Sequence, residues 1–319
     1  MRYLLSLAIV LFFSIACQQK PPVEFDIIIR GGLIYDGSGT QPFVGDIAIQ
    51  NDTIAAIGDL KDAVGKKVIQ AKGLAVAPGF INMLSWADGT LLRDGTSMSD
   101  IKQGVTLEIF GEGWSPGPVK RSLKKPVDSL WTTLGGYFDY LIKKGVSPNV
   151  ASFVGATTIR IHELEHANRP PTAAELERMK NLVKQAMEEG AMGLGTSLIY
   201  APANYATTEE LIELSKIASQ YGGMYTTHMR SEGDFILQAL NETIRIASEA
   251  HVPAEIYHLK INIARNWNKI DTLLQKIDSA RKAGLAITAN MYPYTASGTG
   301  LTSRIPTWVQ EGGAKAMRK

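Results

Sequence analysis

After Pro78 the chain alternates short apolar runs with amphipathic stretches, and this rhythm limits the fold more than any other feature. The apolar runs predict strands at Gly79 to Met83, Thr106 to Gly111, Asn149 to Gly155, Ala191 to Ser197, Gly223 to His228, Ala254 to His258 and Leu285 to Met291. Between them lie segments of helical period such as TAAELERMKNLVKQAMEEG, TTEELIELSKIASQYG, FILQALNETIRIASEAH and NKIDTLLQKIDSARKAG. The first opens on Thr172 with Glu175 three residues later, a capping-box pattern, and closes at Gly190. Such regular alternation calls for parallel strands joined by crossover helices. Seven strands are one short of a closed (β/α)8 barrel. The fold class expected is therefore α/β, a TIM-like barrel with strand eight missing from this chain, or else an open sheet.

The preceding segment reads differently. From Phe25 to Ala75, runs rich in Ile and Val are punctuated by Gly-Gly, Asp-Gly and Asn-Asp, which predicts a small antiparallel β unit. Earlier still, Arg2 precedes an apolar run from Tyr3 to Ala16, shorter than the roughly 20 residues that span a bilayer. This is a secretory signal pattern. Its end, SIAC, resembles a bacterial lipobox, with Ser14 a departure from the usual Leu, and makes Cys17 a candidate for lipidation. The expected organisation is residues 1–22 as signal or lipoprotein anchor, 23–76 as a small β-sandwich part and 77–319 as an incomplete barrel. The expected location is the bacterial periplasm or its membrane, reached only through that anchor. Cys17 is the chain's single cysteine, so the mature domain in this chain can have neither a disulfide nor a thiolate catalyst. With 33 basic and 31 acidic residues and a net charge of +2, the chain shows no basic stripe for nucleic acid.

In parallel barrels the reactive side chains sit at the C-terminal ends of the strands. That rule selects Glu112 after strand two, His228 and Arg230 at strand five, His258 and Lys260 at strand six, and Tyr292 and Tyr294 after strand seven. One carboxylate and two imidazoles from three strands suit a three-ligand zinc site with a position left for water. Asp88 and Asp234 are the other acids near the mouth and could substitute as a base. A competing motif is HELEH, His162 to His166, which matches the H-E-x-x-H pattern of zinc proteases. Pro170 and Pro171 follow closely, however, and leave barely two turns of helix for it.

The opening FDIIIRGGLIYDGSGTQPFVGDIAIQNDTIAAIGDL with VIQAKGLAVAPGFIN resembles the entry to the amidohydrolase superfamily. The stretches NRPPTAAELERMKNLVKQAMEEGAMGLGTSLIYAPANYATTEEL, YTTHMRSEGD, HLKINIARNW and YPYTASGTGL resemble the N-acyl-D-amino-acid deacylases, or D-aminoacylases, within it. The resemblance implies a (β/α)8 barrel with a small β sandwich and zinc-dependent hydrolysis of the linear amide of small-molecule N-acyl-D-amino acids. By position it implies His228 and His258 as zinc ligands, with Glu112 where the family has a cysteine; a carboxylate is also a competent ligand. Lys260 and Tyr292 match residues that bind the substrate carboxylate, and Ser297 lies beside a third. Leu84 and Trp86 stand where the family has paired histidines for a second, weaker metal, so one zinc is expected and Trp86 is expected as an apolar wall. The family's catalytic aspartate and a substrate-binding arginine would fall beyond Lys319. The catalytic residue is therefore unassigned, and a C-terminally truncated form of a protein of roughly 500 residues is expected. Rival readings are a lipid-anchored barrel that binds ligand without turnover, and the zinc protease.

Overall fold

The computed structural model describes residues 23–120 and 130–318. The expected signal peptide and the lipidated Cys17 lie outside the described residues. Among those residues no helix is long and apolar enough to cross a membrane. The chain divides into two compact units, one ending at Gly79 and one running from Phe80.

The first unit is a single mixed sheet. Strands β1 (Glu24–Ile34), β2 (Phe43–Gln50) and β3 (Thr53–Gly58) form an antiparallel meander, as their turn residues predict. Strands β4 (Val64–Gln70) and β5 (Ala75–Val76) return to the other side of β1 and pair with it in parallel. The expectation of an all-antiparallel unit is thus corrected, and the sandwich is represented by one layer. Turn residues report that the chain reverses; they do not report which edge it rejoins. Arg30 fixes this return: its guanidinium bonds Asp46 of β2 at 2.6 Å and the carbonyls of Leu60 and Ala63 that lead into β4.

The second unit carries the strands expected after Pro78, in sequence order and parallel. They are β6 (Phe80–Asn82), β7 (Val105–Phe110), β8 (Asn149–Ser152), β9 (Val154–Gly155), β10 (Gly193–Ser197), β11 (Met224–His228), β12 (Ala254–Ile256) and β13 (Ile287–Ala289). They form two sheets, β6-β7-β8 and β9-β10-β11-β12-β13, every pairing parallel. Strands β8 and β9 are one predicted strand interrupted at Phe153, whose N–H still bonds the Phe110 carbonyl of β7 at 2.9 Å. Helices occupy the crossovers: α1 (Met98–Ile101), α2 (Leu134–Lys144), α3 (Ala156–Leu164), α4 (Ala173–Glu188), α5 (Thr208–Gln220), α6 (Ile236–Glu249) and α7 (Ile270–Lys282), with α8 (Gly313–Met317) at the end.

The core lies between sheet and helices. Leu194, Tyr225 and Ile256 of the strands are fully buried with Met179 and Val183 of α4, Leu211 and Leu214 of α5, and Leu240 and Ile246 of α6. Each such aliphatic side chain contributes about 1.5–3 kcal/mol by leaving water. Helix α4 starts where its cap dictates: the Thr172 hydroxyl accepts from Glu175 N–H, and the Glu175 carboxylate accepts from Thr172 N–H. Thr172→Ala is expected to lower stability by about 1 kcal/mol, read as a shifted urea midpoint with an unchanged slope.

Candidate metal centre

Three strand ends build the site. Strand β7 passes into Gly111, Glu112 and Gly113, and both glycines are left-handed, at φ +105 and +73. A side chain on Gly111 would strike the Phe153 carbonyl at 2.4 Å, and one on Gly113 would strike Ser197 Oγ at 2.2 Å. Only glycine lets the loop fold this tightly between neighbouring strands, and the fold directs Glu112 inward.

Strand β11 ends at His228 and contributes its ring from a regular strand. Strand β12 does not finish regularly, because His258 has φ +38, a conformation that is strained for a residue with a side chain. Asn290 holds it there. Its side-chain oxygen accepts the His258 N–H at 2.7 Å, its carbonyl accepts the Leu259 N–H at 2.9 Å, and its amide donates to Glu255 at 3.0 Å.

The result is a buried cluster. Glu112 Oε1 lies 2.8 Å from His228 Nδ1 and 3.1 Å from His258 Nε2, and the residues are 6%, 5% and 8% exposed. The imidazoles meet edge to face with centroids 4.3 Å apart. Among the described residues this is the one group of three or more such side chains with ligand atoms close enough to share an ion. Burial alone would raise the Glu112 carboxyl, but the two histidines outweigh it and hold it at about 2. Burial would likewise lower His258, yet its hydrogen bonds to Glu112 and Glu232 raise it to about 9. Oxygen and nitrogen donors at one buried point, already polarised toward positive charge, fit a zinc ion.

Other expected residues fall around the cluster with mixed success. Lys260 ion-pairs with Glu232 and stands 5.5 Å above the Tyr292 ring, and Tyr292 lies edge-on to His258 with centroids 6.3 Å apart. Ser297 is exposed in the loop after β13. Trp86 corrects an expectation: it is not an apolar wall but a donor, its indole N–H bonding Glu112 Oε2 at 2.9 Å. Leu84 and Trp86 offer no metal-binding lone pair of the imidazole kind, and the second Glu112 oxygen is taken by this contact. Asp234 is unsuited as a base, since Arg265 and Asn266 bind it and hold it at about 2. Burial pushes Asp88 upward instead.

The H-E-x-x-H pattern does not form a site. Helix α3 ends at Leu164 and Glu165 turns out of it at φ +54, so His166 lies past the helix end. Glu163 is engaged by Arg178 at 2.6 Å. Two residues were not foreseen. Glu232 is 7% exposed and contacts His258, Lys260 and Asn262, and Tyr200 sets its ring edge 5.5 Å from His228. Glu232 follows His228, the last residue of β11, by four residues, which is the signal that could have found it.

Parallel strands that bring a carboxylate and two imidazoles to one buried point are the arrangement that the resemblance to amidohydrolase barrels implies, and comparison with known proteins agrees. No family model matches the chain. D-aminoacylase of Alcaligenes xylosoxydans xylosoxydans is 37% identical over 290 residues, which is 88% of this chain and 60% of that protein. The crystal structure of a D-aminoacylase that defines a novel subset of amidohydrolases superposes with a TM-score of 0.78 at 34% identity, covering 86% of this chain and 59% of that one. N-acyl-D-glutamate deacylase from Bordetella bronchiseptica, solved with zinc and a phosphonate mimic of the tetrahedral intermediate, gives 0.78 at 30% identity over 85% and 59%. The chain is a homologue of the D-aminoacylases and N-acyl-D-amino-acid deacylases, as the sequence motifs imply. It spans about 60% of the length of the relatives it matches.

Proposed function

We propose that this protein hydrolyses the linear amide of N-acyl-D-amino acids, with a single zinc ion held by Glu112, His228 and His258. The observation that carries the reading is the convergence of both imidazoles within 3.1 Å of one Glu112 oxygen. D-aminoacylase and a zinc-bound D-glutamate deacylase as relatives support both the substrate class and the metal. Zinc bound there would polarise the acyl carbonyl and acidify a water. Lys260 and Tyr292 stand beside His258, where the substrate carboxylate would receive a charge-assisted bond and fix the scissile amide over the site. Trp86 would hold the free Glu112 oxygen, which keeps that carboxylate from bridging to a second ion. For the chain's leader we propose export and a lipid anchor on Cys17, on the strength of its residue pattern alone.

The test is metal content with hydrolysis of N-acetyl-D-amino acids. One zinc per chain is expected, kept in His162→Ala and lost in His258→Ala. Chain loaded with excess zinc that holds none would overturn the reading, and zinc without turnover would favour a binding protein.

The pH dependence gives a second test with opposite signs. His258 rests at about 9 in the metal-free protein, so at neutral pH zinc must displace its proton. Apparent zinc affinity should rise about tenfold per pH unit toward pH 9 and flatten above it. Stability of the metal-free protein should move the other way. The folded state favours protonated His258, so that contribution is complete below the ordinary value of 6.5 and is lost as pH rises to about 9. Titration calorimetry and chelator-treated melts across this window read both slopes.

A further inference from the structure

Each imidazole of the cluster lies between two acids. On one side His228 Nδ1 and His258 Nε2 face Glu112 Oε1. On the other, His258 Nδ1 lies 3.1 Å and His228 Nε2 3.5 Å from Glu232 Oε1. Glu232 is pinned at both ends of its residue. Its carboxylate takes Lys260 Nζ and the Asn262 amide, and its carbonyl accepts the Asn262 N–H at 2.9 Å.

The two sides differ in charge. The Lys260 ammonium stands 3.0 Å from His258 Nδ1, so the Glu232 side already holds a cation and a metal ion there would meet a like charge. The Glu112 side faces the neutral indole of Trp86. The charges favour that side for an ion, which His228 Nδ1 and His258 Nε2 would hold with Glu112. A histidine that gives Nε2 to a metal keeps its hydrogen on Nδ1 and needs an acceptor there. Lys260 cannot serve, because an ammonium only donates. Glu232 Oε1 is the acceptor beside it.

We propose that Glu232 is the positioning residue of the metal centre: it grips His258 by Nδ1 so that Nε2 points at the ion, and it anchors Lys260 across the opposite side of the ring pair. This rests on the zinc reading above. It adds which nitrogens bind and what aims them.

The experiment is nitrogen-15 NMR of the histidine rings in the zinc-loaded full chain, with zinc affinities of Glu232→Ala and the isosteric Glu232→Gln. Expected in the parent chain are a hydrogen on His258 Nδ1 and a metal-shifted Nε2. Glu232→Ala should weaken zinc by about 10- to 100-fold while one ion still binds at saturation. Glu232→Gln keeps an oxygen acceptor and should recover most of that loss. The reverse assignment, with hydrogen on His258 Nε2, would overturn the proposal from the parent chain alone, whatever the variants do. So would unchanged affinity in Glu232→Ala, and in both cases the zinc reading stands. A parent chain that takes up no zinc removes both.

Discussion

Glu112→Ala is expected to weaken zinc by more than about 100-fold and to remove hydrolysis with it. The lower bound follows from the 10- to 100-fold that loss of a supporting residue alone costs a metal site. Glu112 is not a supporting residue in this arrangement. Its Oε1 is the shared partner of both imidazoles and its Oε2 takes the Trp86 indole, all inside a pocket where it is 6% exposed. Removing it leaves the two imidazoles with Glu232 as their only carboxylate, on the side Lys260 already occupies, and takes the acceptor from the Trp86 N–H. Glu112→Cys discriminates further, because a thiolate is the ligand that the family resemblance puts at this position. It should keep zinc, and with cobalt it should add a thiolate absorption band that Glu112→Ala lacks. Equilibrium dialysis and the cobalt spectrum read these outcomes, and parent-like affinity in Glu112→Ala would mean that the ion is held elsewhere.

Much of this is legible in the sequence, for a physical reason. The central parallel strands β10, β11 and β12 are buried on both faces, so each reads as an apolar run between helices, and the end of a run locates the mouth of the barrel. Glu112, His228 and His258 emerged from that rule alone. What stayed hidden depended on partners rather than on pattern. Trp86 is apolar by composition, yet its effect here comes from one N–H. Glu232 lies in a loop after β11, and nothing in its own neighbourhood shows that Lys260 and Asn262 will arrive from β12's loop to meet it. The parallel return of β4 onto β1 was hidden for the same reason: it is a choice of edge, and edges are decided by contacts such as Arg30 with Asp46.

Glu210→Ala is expected to destabilise the chain by about 3–5 kcal/mol, although Glu210 touches no part of the centre. Arg160 of α3 and Glu210 of α5 pair at 2.6 Å with 1% and 2% of their side chains exposed. Burial pushes the Glu210 carboxyl upward and Arg160 offsets this, while Arg160 also bonds the carbonyls of Ala167 and Arg169. Taking the carboxylate away strands a guanidinium that cannot lose its proton. Glu210→Gln keeps an oxygen for Arg160 and should cost less. The consequence reaches the site through the other end of α3. There the N–H groups of Thr157 and Thr158, free at the helix start, bond the Gly113 carbonyl at 2.9 and 3.3 Å, and Thr158 Oγ1 accepts from Ser115 N–H. Helix α3 therefore holds the glycine loop that aims Glu112. Loosening α3 should weaken zinc as well as stability in Glu210→Ala, but by less than Glu112→Ala does, and saturating zinc should restore part of the lost stability. Chemical denaturation with and without zinc measures both; a variant that loses stability with zinc affinity unchanged would show that the loop holds its shape without the helix.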